Sequence, residues 1–185
     1  ELFIALKGER FDGRQFLNEA VKAGASALLV EEETNVIGET PLIMTDDTLN
    51  ALGAIARFQR RRFEVPVIGI TGSNGKTTTK DLIAAVLAQK YHIVKTEANY
   101  NNEIGLPLTL LEMDQRTQAV VVEMGMRGLG QIRNLATIAE PGIGVITNIG
   151  QAHLELLGSE ANIAKAKAEL IESLPSNGVA VLNGD

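Results

Sequence analysis

The chain has no cysteine and no tryptophan among its 185 residues, and only 4% of its residues are aromatic. The lack of cysteine excludes disulfide bonds and thiol chemistry, and it fits a reducing compartment. No apolar run approaches the ~20 residues that a membrane-spanning helix needs, and no signal-peptide pattern opens the chain. We therefore expect a cytoplasmic protein without a membrane partner.

The chain also has few positive charges. It contains 17 lysines and arginines and 23 aspartates and glutamates, so its net charge is −6. A non-specific nucleic-acid binder would need a basic surface, so nucleic acid is not an expected partner and any anion site must be local. Four arginines follow one predicted helix, and we interpret them as a solvated helix end that the helix dipole favours. They are Arg57, Arg60, Arg61 and Arg62.

Alternating strand and helix patterns predict an α/β protein with two domains. A small α/β N-terminal domain is expected at residues 1–64, because Pro66 disfavours helix at the residue before it. Residues 65–185 are expected to form a mostly parallel sheet flanked by helices, of the kind found in P-loop proteins. The chain starts inside a strand-like run without an initiating methionine, and it stops where a strand would enter a loop. We therefore expect a fragment of a longer enzyme.

The stretch from Val67 to Thr79 combines a short apolar run, a glycine-bearing loop and the start of a helix. Such a loop binds phosphates, because glycines allow close approach of backbone N–H groups and a helix N-terminus attracts anions. Lys76 would reach the β- and γ-phosphates, and the Thr77 hydroxyl would hold Mg²⁺. The general motif has its first glycine where Ile70 stands here, and a glycine turn that happens to precede a lysine is the alternative. The predicted ATP-binding residues are Gly72, Ser73, Asn74, Gly75, Lys76, Thr77 and Thr78.

Polar residues at the carboxyl ends of parallel strands are the next candidates, because ligands of open α/β sheets bind there. Glu123 directly follows an apolar strand, and its carboxylate could reach a metal ion on the triphosphate. His153 comes after a later strand and loop, and its imidazole could hold a second metal ion. Their alternatives are an ordinary acid at a strand end and a surface or capping histidine. Three asparagines, Asn99, Asn101 and Asn102, follow another strand and suit a substrate with amide or sugar groups, although asparagine is also common in turns.

Helical spacing predicts which side chains of two predicted helices face the core and which face solvent. The helix after the P-loop is predicted from one apolar stripe formed by Leu82, Ile83, Val86 and Leu87. On a later helix, Lys165 is expected to pair with Glu169 on a polar face, whereas Lys167 shares an apolar stripe with Ile163 and Leu170. Burial lowers the pKa of a lysine, which would give Lys167 a neutral amine able to react with CO₂ and become a carbamate. A lysine that reaches solvent from the edge of the stripe is the alternative.

Several stretches together resemble one family, the Mur ligases and their relative folylpolyglutamate synthetase. They are residues 2–13, the P-loop at 71–79 with its displaced glycine, the segment 99–107, the glycine-rich segment 123–132 and the segment 147–153. Within the family, they are most similar to the ligases that add D-alanyl-D-alanine to UDP-N-acetylmuramoyl-tripeptide in peptidoglycan precursor synthesis. The resemblance implies ATP-dependent formation of an amide through an acyl phosphate.

The resemblance also implies roles for single residues. Lys76 and Thr77 would hold the triphosphate and a first Mg²⁺, Glu123 would bind metal, and His153 would bind a second Mg²⁺. Lys167 matches the lysine that related ligases carbamylate. Lys7, Phe11 and Asp12 lie in the loop that would hold the UDP end, and the asparagines lie in the substrate loop. We expect a monomeric enzyme whose 185-residue fragment is inactive alone, because a further domain would close over ATP.

Three alternatives stay open. Another amide ligase on the same scaffold would add a different amino acid, or glutamate to a folate. A P-loop kinase or a nucleotide-switched binding module would use the P-loop but would leave His153 and Lys167 without a purpose. A structural fragment with a vestigial loop would bind no nucleotide.

Overall fold

Two parallel sheets are built from the apolar runs of the sequence, as the computed structural model shows for the residues that it describes, 1–8, 11–150 and 154–184. The chain divides into two compact units, Glu1–Ala54 and Ile55–Asp185. Both units combine a parallel sheet with helices, which confirms the predicted α/β class. The division between the units lies inside a helix, before the position predicted from Pro66, so the domains 1–64 and 65–185 stay a prediction.

The first unit contains a three-stranded parallel sheet in the order β1-β2-β3. Its elements are β1 (Leu2–Ile4), a 3₁₀-helix (Gly13–Phe16), α1 (Leu17–Lys22), β2 (Ala27–Val30), β3 (Leu42–Met44) and the start of α2 (Thr48–Arg61). Asp47 caps α2, because its side chain accepts a hydrogen bond from the Asn50 N–H at 2.8 Å. The core of the unit is formed by Ala5, Leu17, Leu28 and Val30.

The second unit contains a five-stranded parallel sheet in the order β5-β6-β4-β7-β8. Its elements after α2 are β4 (Val67–Thr71), α3 (Lys76–Leu87), β5 (Ile93–Lys95), α4 (Gly105–Leu111), β6 (Ala119–Glu123), α5 (Gln131–Ala139), β7 (Ile143–Ile146), α6 (Leu154–Leu157), α7 (Glu160–Glu172) and β8 (Val179–Leu182). Strands β4 and β6 are buried along their whole length, which explains why their sequences are continuously apolar. Ile70 lies beside Glu123 and Thr71 beside Ile146, so the ends of three neighbouring strands meet at one edge.

The apolar stripe predicted for α3 is wrong for two of its four residues. The side chains of Leu82 and Val86 are 63% and 72% exposed, while Ile83 and Leu87 pack against the sheet. Lys80 is buried on the same helix, and its ammonium donates a hydrogen bond of 2.7 Å to the Thr96 carbonyl. Only part of the predicted apolar stripe of α3 therefore packs against the sheet. The buried side of the helix also includes a hydrogen-bonded lysine.

The ion pair predicted between Lys165 and Glu169 is also wrong. Glu169 is buried, and its two carboxylate oxygens accept hydrogen bonds from the N–H groups of Gly130 (2.6 Å) and Arg133 (3.0 Å). The first N–H groups of a helix have no partner inside it, so a carboxylate from α7 satisfies the start of α5. This contact needs two distant segments to meet, and helical spacing within α7 cannot reveal it.

The arginine cluster differs from the expected solvated helix end. Arg57 and Arg61 both bind the carboxylate of Glu140, which follows α5, and the distance from Arg57 Nη2 to Glu140 Oε1 is 2.7 Å. Arg60 donates hydrogen bonds to the carbonyls of Ala139 and Phe63. The hydrogen bonds from Arg61 are the main reason why the pKa of Glu140 is lowered to about 2. The last turns of α2 are thereby attached to the end of α5.

We predict that Glu140→Gln lowers the free energy of unfolding of the chain by about 1–2 kcal/mol at neutral pH, because charge-assisted hydrogen bonds are lost from a partly exposed site. The folded-state pKa lies below the ordinary value of 4.5, so the contribution is complete above that value. It declines as the pH falls from there and is lost below about 2. Urea unfolding at a series of pH values measures this difference. Glu64→Gln is the control, since Glu64 is exposed, and an equal loss in both variants would contradict the prediction.

Candidate active site

The P-loop connects the end of β4 to the start of α3 through residues 72–75. Gly72 and Gly75 have φ angles of +152° and +78°, which side chains other than glycine rarely adopt. Helix α3 begins at Lys76, so its first N–H groups and its dipole point at the space above the loop. The loop therefore has the backbone arrangement of an anion site.

The tip of the P-loop is bound to the segment after β7. The N–H groups of Ser73 and Asn74 donate to the main-chain carbonyl (3.1 Å) and the side-chain oxygen (2.9 Å) of Asn148. Ser73 Oγ exchanges hydrogen bonds with the main chain of Gly150. These two N–H groups were predicted to bind ATP, and in this structure they have partners within the protein.

Thr77 and Glu123 meet across the edge of the sheet. The Thr77 hydroxyl donates to Glu123 Oε2 at 2.8 Å, and Asn101 Nδ2 donates to Glu123 Oε1 at 2.8 Å. The main-chain N–H of Glu123 donates to the hydroxyl of Thr96 at 3.0 Å. Hydroxyl and carboxylate oxygens suit Mg²⁺, which binds one or two carboxylates together with substrate phosphates. No cluster of three or more acidic or histidine side chains that could hold a metal occurs in the described part of the chain.

A polar cavity of about 350 Å³ opens beside this pair. Its lining comes from the P-loop, the loop that contains Asn99, Asn101 and Asn102 (the asparagine loop), the segment after β6 and helix α7. The lining residues are Thr71, Gly72, Lys76, Asn99, Asn101, Asn102, Glu103, Met124, Gly125, Met126, Arg127, Gln131 and Lys167. Candidates that lie far apart in the sequence therefore share one cavity.

Two lysines face this cavity with few counter-charges. The Lys76 ammonium donates to the carbonyl of Gly72 at 2.8 Å. Lys167 is 1% exposed, as its apolar stripe predicts, and no hydrogen bond or ion pair to its amine occurs among the described residues. Burial, with a further contribution from the charge of Lys76, lowers the pKa of Lys167 to about 8. At pH 7, about a tenth of an amine with this pKa is neutral, far more than for an ordinary lysine.

The chain matches two models of known protein families. A family model of the Mur ligase middle domain matches residues 70–185, and a model described as the Mur ligase family catalytic domain matches residues 1–98. The chain belongs to the Mur ligase family. This is the family that the sequence motifs resemble, so the comparison confirms that resemblance.

Individual relatives narrow the assignment within the Mur ligases. The chain is 53% identical to the UDP-N-acetylmuramoyl-tripeptide–D-alanyl-D-alanine ligase of Synechocystis, over 100% of this chain and 41% of that protein. A crystal structure of MurF from Acinetobacter baumannii has a TM-score of 0.95 at 35% identity, covering 100% of this chain and 41% of that chain. The MurF ligase of Thermotoga maritima in complex with ADP has a TM-score of 0.93 at 37% identity, covering 100% and 43%. This Mur ligase chain thus spans about two fifths of the length of the relatives it matches.

The asparagine loop of this Mur ligase chain has structural as well as candidate substrate roles. Asn102 Oδ1 accepts hydrogen bonds from the N–H groups of Ile104 and of Gly105 (2.9 Å), the first residue of α4. Asn101 accepts the N–H of Gly125 with its main-chain carbonyl at 2.8 Å, in addition to its bond with Glu123. Asn99 lines the cavity. Contact of these three residues with substrate stays a prediction.

The predicted UDP loop lies in the first unit. Lys7 and Asp12 form an isolated antiparallel bridge, and the Phe11 ring stacks on Phe16 with centroids 5.1 Å apart. Asp12 binds the guanidinium of Arg14, which lowers the pKa of that carboxyl to about 2. Sequence reasoning missed Arg14, although its position two residues after an aspartate is typical of a local pair. Phe11 and Phe16 also line an apolar cavity of about 470 Å³ in this unit.

His153 lies outside the described residues, so its place in this Mur ligase chain stays a prediction. Within the described part, no helix has both the length and the apolar character needed to cross a membrane.

Proposed function

We propose that the protein containing this chain joins D-alanyl-D-alanine to UDP-N-acetylmuramoyl-tripeptide and consumes ATP. The observation that carries the proposal is that Lys76 and Lys167 line one cavity, and that the Thr77–Glu123 pair is hydrogen-bonded to Asn101, which lines the same cavity. Such a set is what a carboxylate-activating enzyme needs, because an anionic carboxylate must attack an anionic triphosphate. The printed names of the most similar relatives support the choice of the two substrates.

ATP would bind with its phosphates at the N-terminus of α3. The proposed ATP-binding residues are Gly72 to Thr78, with the N–H groups at the start of α3 and the Lys76 ammonium as the direct contacts of the phosphates. That ammonium now binds a loop carbonyl, and it can exchange this bond for a phosphate oxygen. The crystal structure of the Thermotoga maritima ligase in complex with ADP supports a nucleotide site in this family.

Magnesium fits the oxygen groups present at the site. We assign the Thr77 hydroxyl and the Glu123 carboxylate as its protein ligands, because their oxygens are already 2.8 Å apart and are hard donors. His153 is proposed as a ligand of a second Mg²⁺ on the family resemblance alone. When bound, these ions would offset the negative charge on the transferring phosphoryl group.

The reaction would proceed through two displacements. The terminal carboxylate of the tripeptide attacks the γ-phosphorus, the bond to the leaving ADP breaks, and an acyl phosphate forms. The amine of D-alanyl-D-alanine then attacks the acyl carbon, loses a proton, and phosphate leaves as the amide forms. Lys76 would stabilise charge in the first step, and the asparagine loop would orient the peptide. Water must be excluded, because it would hydrolyse the acyl phosphate.

Lys167 is proposed to carry a carbamate. Its neutral amine would attack the carbon of CO₂, forming an N–C bond and releasing a proton. The product has a negative charge at a position where Lys167 has no hydrogen-bond or ion-pair partner among the described residues and is repelled by the charge of Lys76. A carboxylate-like group at this position would pair with cations in the cavity and support the second metal ion.

The remaining assignments concern substrate and setting. Lys7, Phe11 and Asp12 are proposed to contact the UDP end of the substrate. The enzyme would act as a cytoplasmic monomer in peptidoglycan precursor synthesis, where ATP and nucleotide-linked precursors are available, and it would thereby serve cell shape and division.

We predict that the full-length enzyme releases ADP continuously only when UDP-N-acetylmuramoyl-tripeptide and D-alanyl-D-alanine are both present, as a coupled ADP assay measures, because the acyl phosphate is not consumed without the dipeptide. Thr77→Val should lower kcat by about 10²-fold or more, because it removes a metal ligand. The isolated 185-residue chain is the matched control and should release none, since it spans two fifths of its relatives. ADP release that does not depend on either substrate would favour a kinase or a nucleotide switch. Release that depends on glutamate and a folate would favour a folylpolyglutamate-type ligase.

We also predict that Lys167 binds CO₂ when the pH approaches and passes about 8, the value to which its pKa is lowered. The neutral amine is the reactive form, so the carbamate signal should grow with the neutral fraction. Carbon-13 NMR of the protein in labelled bicarbonate measures it. The resonance should disappear in Lys167→Arg and persist in Lys165→Arg. A spectrum that Lys167→Arg leaves unchanged would contradict the proposal.

A further inference from the structure

The segment after β7 makes a dense set of polar contacts with the P-loop tip, although its own side chains lie outside the cavity lining. Thr147 Oγ1 donates to the Asn74 carbonyl at 2.6 Å, and Asn148 Nδ2 donates to the same carbonyl at 3.1 Å. Asn148 Oδ1 accepts the Asn74 N–H, and the Asn148 carbonyl accepts the Ser73 N–H. Both main-chain groups of Asn74 are therefore bound by this segment.

These contacts decide which P-loop groups remain for an anion. A glycine-bearing loop has many accessible conformations and loses entropy when a ligand orders it. Here the N–H groups of Ser73 and Asn74 are directed to Asn148, and those at the start of α3 are left for the phosphates. Hydrogen bonds to the segment after β7 thus restrain the tip of the loop and leave the start of α3 unaffected.

The approach between the two segments is also close. A Cβ atom added to Gly72 would collide with the hydroxyl of Thr147. The loop at Gly72 consequently rests directly on the end of β7, and the hydrogen bonds at Asn74 fix its far side. Two neighbouring residues of one strand end therefore restrain both halves of the P-loop.

We propose that Thr147 and Asn148 are positioning residues that hold the P-loop in its anion-binding conformation before nucleotide arrives. They set the affinity for nucleotide, because pre-organisation removes the ordering cost from the binding step. They leave the phosphoryl-transfer step little changed, since the hydrogen bonds of both side chains within the described part of the chain go to main-chain groups of Thr71 and Asn74 and not to Lys76, Thr77, Glu123 or Lys167. The inference rests on the proposed function only in requiring a nucleotide at the P-loop.

A purely structural role for the two residues predicts a different pattern. Loss of general packing would lower stability, affinity and turnover together, and a conservative replacement would not restore them selectively. Positioning predicts that the KM for ATP rises while kcat at saturating ATP is kept. It also predicts that a hydroxyl at position 147 is sufficient.

Thr147→Val and Asn148→Leu in the full-length enzyme test the inference, with ATP and Mg²⁺ as the probe in calorimetry. Each removes hydrogen bonds with little change of volume, so the Kd for ATP should rise about tenfold. Thr147→Ser keeps the hydroxyl and should bind as the wild type does. Ile149→Ala is the matched control, because Ile149 lies in the same segment and is 52% exposed.

Steady-state kinetics and thermal unfolding of the nucleotide-free proteins complete the test. A raised KM for ATP with kcat retained, and rescue by Thr147→Ser, would support the inference. Wild-type affinity in both Thr147→Val and Asn148→Leu would overturn it, as would a parallel fall of kcat, affinity and Tm that serine does not rescue. If Thr147→Val fails to fold, Asn148→Leu alone decides. A wild-type enzyme that binds no ATP would overturn the proposed function as well.

Discussion

The hydrogen bond from the Thr77 hydroxyl to Glu123 connects the first turn of α3 with the end of β6. It depends on the order of the sheet, because β4 lies between β6 and β7 and brings the P-loop next to both strand ends. The same edge receives the asparagine loop through Asn101 and the segment after β7 through Asn148. A single register of three parallel strands therefore assembles the candidate active site.

Charge is distributed around this pair in a way that favours an anionic ligand. The carboxylate of Glu123 is satisfied by neutral donors from Thr77 and Asn101, while Lys76 and Lys167 face the cavity. Burial lowers the pKa of Lys167, and repulsion from the Lys76 ammonium lowers it further. A bound triphosphate, or a carbamate on Lys167, would relieve this repulsion.

Much of the second unit could be predicted from the sequence. The apolar run before the P-loop and the apolar strand before Glu123 are present as β4 and β6, since a continuous apolar run is a strong local signal. The meeting of Thr77 with Glu123 followed from the rule that parallel strands end at one edge. The sequence could not reveal the buried Lys80, the cap provided by Glu169 or the arginines around Glu140, because each partner comes from a distant segment. In the P-loop, the same limit concealed the contacts of Asn74 with Thr147 and Asn148.

We propose that Thr77 and Glu123 share a metal ion on a triphosphate bound at the P-loop. The decisive experiment is a crystal structure of the full-length enzyme with a non-hydrolysable ATP analogue and Mn²⁺ in place of Mg²⁺. We expect an anomalous peak about 2.0–2.3 Å from Thr77 Oγ1 and from a Glu123 carboxylate oxygen, with the hydrogen bond between them broken. A nucleotide bound away from Lys76, or a metal site without Glu123, would contradict it.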